Sequence, residues 1–429
     1  MAACIVVAIG IALVPHKDYQ EGRNDDNSEE KQRTSLLSTY AEAMKNEAAG
    51  MPLDESIESG ANYLINACGD DGQFVYRINV DPNIRPSKSY NVLRHAGTMY
   101  SLAMYHRWKP DDKAVAAIER AAKFLNDRCI EPLKDQPELS AVWSRPELNY
   151  DEDDPTQAKL GAAGLALIAL TSLEQIKPGS TDIEQLRAIG RFIVYLQKQD
   201  GSFHCKYIPS LGGRQDDWVS LYYPGEAALG MVMLYEHDSN PQWLQCAANA
   251  IAYLARSRES ESDVPADHWA LLATAKMLPH YDKCEQPVPR DRLVGHAVQI
   301  CKSILDDMDE AASAEAWSVL RGCLTGDGHT TPTATRMEGL LAALTFIPAK
   351  QSDLRLRMVD AVENGIGFLC RAQIAKGGYR GAITRAVLRT SINDERATEV
   401  RIDYVQHALI AMIQYWDYHR MSHESNKAG

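Results

Sequence analysis

The stretch Lys159-Leu160-Gly161-Ala162-Ala163-Gly164-Leu165-Ala166-Leu167 is apolar on nearly every side when it is placed on a helix. Such a helix needs neighbours on nearly every side, because it offers water no polar face. Comparable segments, rich in small residues, begin near positions 91, 159, 224, 267, 335 and 403. Their spacings of about 68, 65, 43, 68 and 68 residues indicate an internal repeat. The sequence therefore predicts six buried helices of one type.

A second type of segment alternates with the first and carries an aromatic-Leu or aliphatic-Leu step. These steps are Tyr63-Leu64, Phe124-Leu125, Tyr195-Leu196, Tyr253-Leu254, Ile304-Leu305 and Phe368-Leu369. We predict outer helices over roughly 54–67, 111–128, 181–199, 241–258, 290–308 and 353–374, and inner helices over roughly 91–107, 159–175, 224–237, 267–278, 335–346 and 403–416. Two alternating types, six of each, predict an all-α fold, an (α/α)6 toroid of six inner and six outer helices.

The repeat continues without interruption from about Pro52 to about Tyr418, which predicts a single toroid domain over residues 35–420 and a C-terminal tail over 421–429. Lys and Arg number 45 and Asp and Glu number 58, so the formal net charge is −13. This charge argues against a nucleic-acid partner, because neutralising phosphates requires clustered cations. We expect a small-molecule or oligosaccharide partner instead.

Residues 1–34 combine an apolar stretch, Ala2 to Val14, with a polar linker. The apolar stretch is too short to cross a bilayer comfortably but suits the hydrophobic part of an export signal. No Lys or Arg precedes it, and an apolar N-terminus of a cytoplasmic protein is the alternative. We predict a secreted, periplasmic or membrane-anchored extracytoplasmic protein, with a possible membrane tether through this segment.

All inner helices of an up-down ring run in the same direction, so their N-termini meet at one opening. Long loops on one face of a rigid scaffold are common places for functional sites. We predict catalytic roles at this opening for His95, Asp153, Tyr222, Glu226, Asp267, His268 and His407. We predict substrate-binding roles for Arg94, Tyr223, Trp269, Arg336, Glu338, Arg401, Asp403 and Gln406.

Some of these residues also fit structural roles at helix starts. Thr335-x-x-Glu338 is a capping box and Asp403-x-x-Gln406 resembles one, while Asp267 fits a plain N-cap. Capping does not explain Arg94, His268 or the other ionisable residues that the repeat brings to the same end. A concave pocket with convergent polar groups is the default hypothesis for a site.

Two motifs resemble a known superfamily. Gln197-x-x-Asp200-Gly201-Ser202-Phe203 resembles the Q-x-x-D-G-S-W repeat of squalene cyclases and prenyltransferases, and Asp151-Glu152-Asp153-Asp154 matches the D-x-D-D acid of class II terpenoid cyclases. The resemblance implies a toroid and, carried over by position, makes Asp153 an acid that protonates an alkene. The predicted architecture is also similar to that of the (α/α)6 carbohydrate-active enzymes.

The chemistry of the predicted opening favours a polar substrate. Aromatic residues make up 7% of the chain, whereas a cyclase surrounds its carbocation with aromatic rings. Arg94, Arg336 and Arg401 suit the carboxylate of an acidic sugar, histidine or tyrosine suits proton abstraction, and Glu226 with Asp267 is the best carboxylate pair for hydrolysis.

We therefore predict an exported enzyme that acts by acid/base chemistry on a polar, uronic-acid-containing saccharide, as a lyase, hydrolase or epimerase. A terpenoid cyclase or prenyltransferase-like enzyme and a non-catalytic extracytoplasmic binding protein are the alternatives. No phosphate-binding loop or dinucleotide fingerprint is present, and Cys323 is the one cysteine near an inner-helix start. We accordingly predict no cofactor and no metal.

Overall fold

The computed structural model describes residues 50–313, 320–325, 328–388 and 394–428, so the predictions for residues 1–34 lie outside the described residues. Thirteen α-helices occur in this part of the chain. In chain order they are α1 (Leu53–Ala67), α2 (Val92–Trp108), α3 (Asp112–Arg128), α4 (Pro146–Asn149), α5 (Leu160–Ile176), α6 (Ile183–Leu196), α7 (Tyr223–Asp238), α8 (Pro241–Ser257), α9 (His268–Met277), α10 (Arg290–Ser313), α11 (Thr330–Leu344), α12 (Ser352–Ala372) and α13 (Ile402–Ala428). Among these described helices, none combines the length and apolarity that crossing a membrane requires.

Helices α2, α5, α7, α9, α11 and α13 form a closed inner ring. Each packs against the next inner helix along the chain, and α13 packs against α2 to complete the circle. Helices α1, α3, α6, α8, α10 and α12 lie outside this ring. In α5 nearly every residue from Leu160 to Leu173 is buried, whereas α6 buries one face through Leu186, Ile189 and Ile193. The predicted (α/α)6 toroid is confirmed.

Short strands precede several inner helices and were not predicted. The strands are β1 (Arg77–Asn79), β2 (Ile130–Leu133), β3 (Gln136–Ser144), β4 (Gln157–Lys159), β5 (Lys206–Ile208), β6 (Gly213–Gln215) and β7 (Glu399–Arg401). Strands β2 to β6 form one antiparallel sheet in sequence order, and β1 pairs with β7. Because β4 leads directly into α5 and β7 into α13, the pairing fixes where these inner helices begin.

Two predicted capping boxes are wrong. Helix α11 begins at Thr330 rather than near Thr335, so Thr335 lies inside the helix and its hydroxyl donates to the carbonyl of Thr331 at 3.1 Å. Glu338 is therefore not needed as a cap. Gln406 does not cap α13 either, because its Oε1 accepts a 2.8 Å bond from the Thr98 hydroxyl on α2.

Glycine allows the inner helices to approach closely beside the opening. A Cβ atom at Gly161 would lie 2.0 Å from Oε2 of Glu226 and 2.5 Å from Cδ1 of Tyr223. At Gly339 a Cβ atom would lie 3.1 Å from the Cα of His268. The small residues of the repeat thus leave room for larger functional side chains on the neighbouring helix.

Candidate active site

The N-terminal ends of the inner helices surround one cavity of about 450 Å³. Its lining residues are Asn91, Leu93, Arg94, Leu165, Tyr222, Tyr223, Glu226, His268, Trp269, His329, Thr331, Pro332, Thr335, Arg336, Arg385, Arg396, Arg401, Asp403, Tyr404, Gln406 and His407. Five of the six inner helices contribute their first turn to this lining. The common direction of the inner helices therefore brings most of the predicted ionisable residues into one basin.

Two histidines on different inner helices face each other in the cavity. The ring centroids of His268 and His407 are 5.8 Å apart and the rings are nearly perpendicular. Nδ1 of His407 lies 2.7 Å from Oε1 of Glu338, a carboxyl on α11 that is fully buried. The two groups share a proton in this hydrogen bond, which fixes the imidazole and leaves its Nε2 for a ligand.

His268 has fewer hydrogen bonds than His407. It is 2% exposed, yet neither ring nitrogen has a hydrogen-bond partner among the residues that the structure describes. Burial lowers its pKa well below the ordinary value, and the nearby His407 and Arg336 lower the pKa further. Because a buried polar atom without a partner costs free energy, the two nitrogens are suited to a ligand that supplies the missing bonds.

Glu226 is a buried carboxyl group that lines the same cavity. Within the described part of the chain its Oε2 atom has no hydrogen-bond partner, and the residue is 6% exposed. Burial and the neighbouring Asp267 raise its pKa to about 8, against a smaller lowering by Arg94. Glu226 is therefore protonated at neutral pH and is able to donate a proton or a hydrogen bond.

Asp403 is the ionised carboxylate of the lining. Arg94 donates from Nε to its Oδ2 at 2.8 Å, and Arg401 donates from Nε and Nη2 at 2.9 and 2.8 Å. These two guanidinium groups outweigh the effect of burial and hold the pKa of Asp403 below its ordinary value. A carboxylate bound by two arginines is a poor base, so Asp403 organises the arginines.

Further arginines line the cavity without so strong a partner. Nη2 of Arg336 lies 3.7 Å from Oδ2 of Asp307, and its Nε has no hydrogen-bond partner in the described ranges. Arg385 and Arg396 line the same wall as β7 and pair with Asp394 and Glu399 at 3.5 and 3.3 Å. Sequence reasoning missed these last two, since they lie in the long segment before α13, where the repeat gives no register.

Three predicted catalytic residues lie outside the cavity lining. His95 is fully buried between Tyr90 Oη, 2.7 Å from its Nδ1, and the carbonyl of Ala121, 2.9 Å from its Nε2. Burial lowers its pKa to about 4, so it is a neutral core residue. It follows Arg94 directly, and adjacent residues on a helix point in different directions.

Asp267 and Asp153 are placed elsewhere for different reasons. The side chain of Asp267 accepts from the amide of Ala270 at 3.1 Å and pairs with Arg258 at 3.0 Å, which are the bonds of a buried N-cap. Asp153 lies on an exposed loop, where its amide donates to Asp151. The predicted pairing of Glu226 with Asp267 across a substrate is therefore not formed.

The remaining residues, Tyr222 with a predicted catalytic role and the others with predicted binding roles, reach the cavity or support it. Tyr222, Tyr223, Trp269 and Gln406 line it, and the ring centroid of Tyr222 is 5.2 Å from that of His268. Glu338 is absent from the lining and is hydrogen-bonded to His407, which belongs to it.

The histidine pair and Glu338 are also the one group among the described residues whose donor atoms are close enough for a metal ion. These atoms lie within 4.8 Å of one another, and imidazole with carboxylate suits a transition metal. The hydrogen bond between His407 and Glu338 already engages two of the donor atoms. The absence of a metal at this group stays a prediction.

The ring of helices and its polar opening place the chain among the (α/α)6 toroids. The chain is similar to cellobiose 2-epimerase from Spirochaeta thermophila DSM 6192, with a TM-score of 0.58 and 12% identity over 90% of this chain and 99% of that one. It is similar to the GH76A α-1,6-mannanase from Salegentibacter sp. HEL1_6, with a TM-score of 0.56 and 12% identity over 85% and 98% of the two chains. A polysaccharide lyase gives a TM-score of 0.52 and 14% identity over 86% and 97%.

At these identities the likeness establishes the fold. No protein-family model matches the sequence, and no curated protein matches it.

Proposed function

We propose that this protein is a carbohydrate-active enzyme that transfers protons at an acidic sugar through His268 and His407. The observation that carries the proposal is the geometry of the pair, in which two imidazoles from different inner helices face one cavity. One is held by a buried carboxyl group, and the other has two nitrogens without partners. Positioned imidazoles are the commonest general acids and bases in enzymes.

The carboxyl groups favour proton transfer over glycoside hydrolysis. Hydrolysis uses two carboxyl groups on either side of the scissile bond. Among the described residues that line the cavity, Asp403 is neutralised by two arginines and Glu226 is the other carboxyl group. Asp267, which the sequence suggested as the second carboxylate, is an N-cap bound to Arg258. We therefore favour an epimerase or lyase over a hydrolase.

In the proposed reaction, one imidazole removes the proton from the ring carbon next to the substrate carboxylate. The negative charge moves onto the carboxylate oxygens, where the guanidinium of Arg336 stabilises it. We choose Arg336 because it lies close enough to His268 and Tyr222 to lower the pKa of both. An epimerase then returns a proton to the opposite face from the second imidazole. A lyase instead expels the neighbouring glycosidic oxygen, which takes a proton from a neutral acid such as Glu226.

The charge of the lining supports an acidic substrate. Five arginines line the cavity in a chain with a net charge of −13. Planar guanidinium groups recognise carboxylates through paired hydrogen bonds. A saccharide that contains uronic acid fits this lining better than a neutral one. One solved structure of this fold is an inactive variant of the GH76A α-1,6-mannanase in complex with the oligosaccharide α-1,6-mannotriose.

The two alternative functions have weaker support. A terpenoid cyclase would use Asp153, which lies outside the cavity lining, and its carbocation would face five arginines. A binding protein would not need a buried, protonated Glu226 beside a pair of unpartnered imidazole nitrogens.

Export remains part of the proposal on the basis of the apolar stretch from Ala2 to Val14. Fusion of residues 1–34 to a reporter that is active only outside the cytoplasm tests it. Reporter activity supports export, and its loss when Ala2 to Val14 is deleted is the control.

A panel of mono- and oligosaccharides derived from uronans, alginate and mannans tests the enzymatic proposal. Turnover of a uronate-containing member by the wild type is expected, with a loss of about 100-fold or more in His268→Asn and in His407→Asn. Thermal shift measures whether both variants still fold and bind. Full activity in both variants would refute the proposed roles, and binding without turnover by the wild type would identify a binding protein.

A further inference from the structure

The rim of the cavity carries an exposed aromatic residue that the proposed proton transfer does not use. Trp218 is 41% exposed and the adjacent Val219 is 74% exposed, on the segment that leads from β6 to α7. An exposed apolar surface that borders a cavity is a candidate interaction surface. Tryptophan in particular is enriched where binding energy concentrates.

This surface continues into the cavity. The ring of Trp218 lies edge-on to that of Tyr223, with the centroids 5.4 Å apart, and Tyr223 lines the cavity together with Tyr222. Nζ of Lys206 lies 4.6 Å from the centroid of the Trp218 ring. Aromatic rings therefore run from the lining out to the rim, and the ammonium of Lys206 lies over one face of the outermost ring, that of Trp218.

The segment that carries Trp218 is anchored on both sides. Before it, Asp216 forms a salt bridge with Lys198 and lies 2.9 Å from Nδ1 of His204. After it, the amide of Ser220 donates to Sγ of Cys205 at 3.4 Å. A ring that is already held in place loses little conformational freedom when a ligand stacks on it.

Ser220 also ties this segment to the start of α7. Its hydroxyl oxygen accepts from the amides of Tyr222 and Tyr223, both at 3.3 Å. Trp218 and the two tyrosines thus form one connected unit, which we call the rim platform.

We propose that the rim platform binds the sugar units next to the reacting one, so that the substrate is an oligosaccharide or polysaccharide chain. This inference rests on the proposed function. The cavity of about 450 Å³ is at the small end of ligand pockets, which span about 300–1,000 Å³, so a chain has to continue over the rim. The C–H face of a pyranose packs on an aromatic ring while its hydroxyl groups stay in water, and Lys206 supplies a positive charge for an acidic unit.

The test measures KM and kcat for substrates of increasing length, from monosaccharide to tetrasaccharide, taken from the series of the saccharide panel that the enzyme turns over. Trp218→Ala is expected to raise KM for the tetrasaccharide about 10-fold, as loss of a hot-spot aromatic does, with kcat unchanged. KM for the shortest substrate is expected to stay within about twofold, and Trp218→Phe to restore most of the tetrasaccharide affinity. Tyr379→Ala, which removes an aromatic that is 43% exposed and lies outside the cavity lining, is the matched control.

Equal effects of Trp218→Ala on short and long substrates would overturn the inference, as would a wild type that binds the monosaccharide as tightly as the chain. Calorimetric binding of the same saccharides separates this result from failure of the proposed function. If the wild type binds longer chains more tightly through Trp218 but turns none over, the enzymatic proposal fails and the platform stands. If the wild type binds no member of the panel, both fail.

Discussion

At the scale of single residues, the hydrogen bond between Glu338 and His407 is the contact that a substitution tests most directly. Glu338 is fully buried, and among the described residues its side chain has one hydrogen bond, from Oε1 to His407, while Oε2 has no partner. A buried acceptor that fixes an imidazole also selects the tautomer that faces the substrate. We therefore propose that Glu338 is a positioning residue, which acts on the substrate through His407.

Glu338→Gln is expected to lower kcat about 100-fold while KM changes little, because the amide fills the same space but cannot stabilise the imidazolium. Steady-state kinetics on the active saccharide measures the split between kcat and KM. Glu119→Gln, at an exposed ion pair with Lys177 on the outer surface, is the control. An unchanged kcat in Glu338→Gln would contradict the positioning role.

Glu226 links the site to the stability of the fold. Its pKa is raised from 4.5 to about 8, so the folded protein keeps a proton that the unfolded chain releases above pH 4.5. The unfolded state therefore binds fewer protons between these two pH values, and stability falls as the pH rises through them. The burial of Glu226 is a cost to stability that is largest above pH 8.

Glu226→Gln, which stays neutral at every pH, is expected to remove this slope. Relative to the wild type, the variant gains a few kcal/mol in the free energy of unfolding as the pH rises from 4.5 to 8. Urea unfolding at several pH values measures the difference. Parallel pH profiles for the two proteins would show that Glu226 is ionised in the folded state at neutral pH.

At the scale of helices, small residues decide where the larger side chains of the site can lie. Gly161 on α5 leaves the space that Glu226 and Tyr223 of α7 occupy. A side chain there would have to displace both groups from the cavity lining. The glycine-rich stretch that predicts burial thus also shapes the site, which its apolar character alone does not reveal.

Gly161→Ala is expected to abolish most of the activity, because the new Cβ atom would lie 2.0 Å from Oε2 of Glu226 and force it to move. Gly295→Ala on the outer helix α10 is the matched control, since nothing lies within 4 Å of its Cβ position. That control is expected to keep full activity and to gain up to about 1 kcal/mol from helix propensity. Unchanged turnover in Gly161→Ala would show that the position of Glu226 does not matter.

The strands form part of the cavity wall that the periodicity of the sequence did not predict. Strand β7 and residues near Arg385 build one wall of the cavity, and the pairing of β7 with β1 joins positions more than 300 residues apart, as Arg77 and Arg401 do. Such long-range pairing leaves no local signal in a short segment. Arg396 was therefore not among the predicted site residues.

For the whole molecule, the predictable part was the ring. Two alternating helix types and the shared direction of the inner helices placed Arg94, Glu226, His268, Arg336 and His407 at one cavity, where the structure has them. The direction of each side chain was less predictable, because of two adjacent residues on a helix one can line the cavity while the other points into the core. His95 follows Arg94 and Asp267 precedes His268, and both turn away into hydrogen bonds of the scaffold.

The measurement that bears most directly on proton transfer by His268 and His407 is the rate of turnover of a uronate substrate deuterated at the ring carbon next to its carboxylate. We expect the wild type to turn this substrate over more slowly than the unlabelled one, since the bond to that carbon breaks in the reaction. We also expect His268→Asn and His407→Asn to lose turnover of both substrates while unfolding at the temperature of the wild type. The proposal would be contradicted if both substrates were hydrolysed at the glycosidic bond at equal rates. It would also be contradicted if both variants kept full activity.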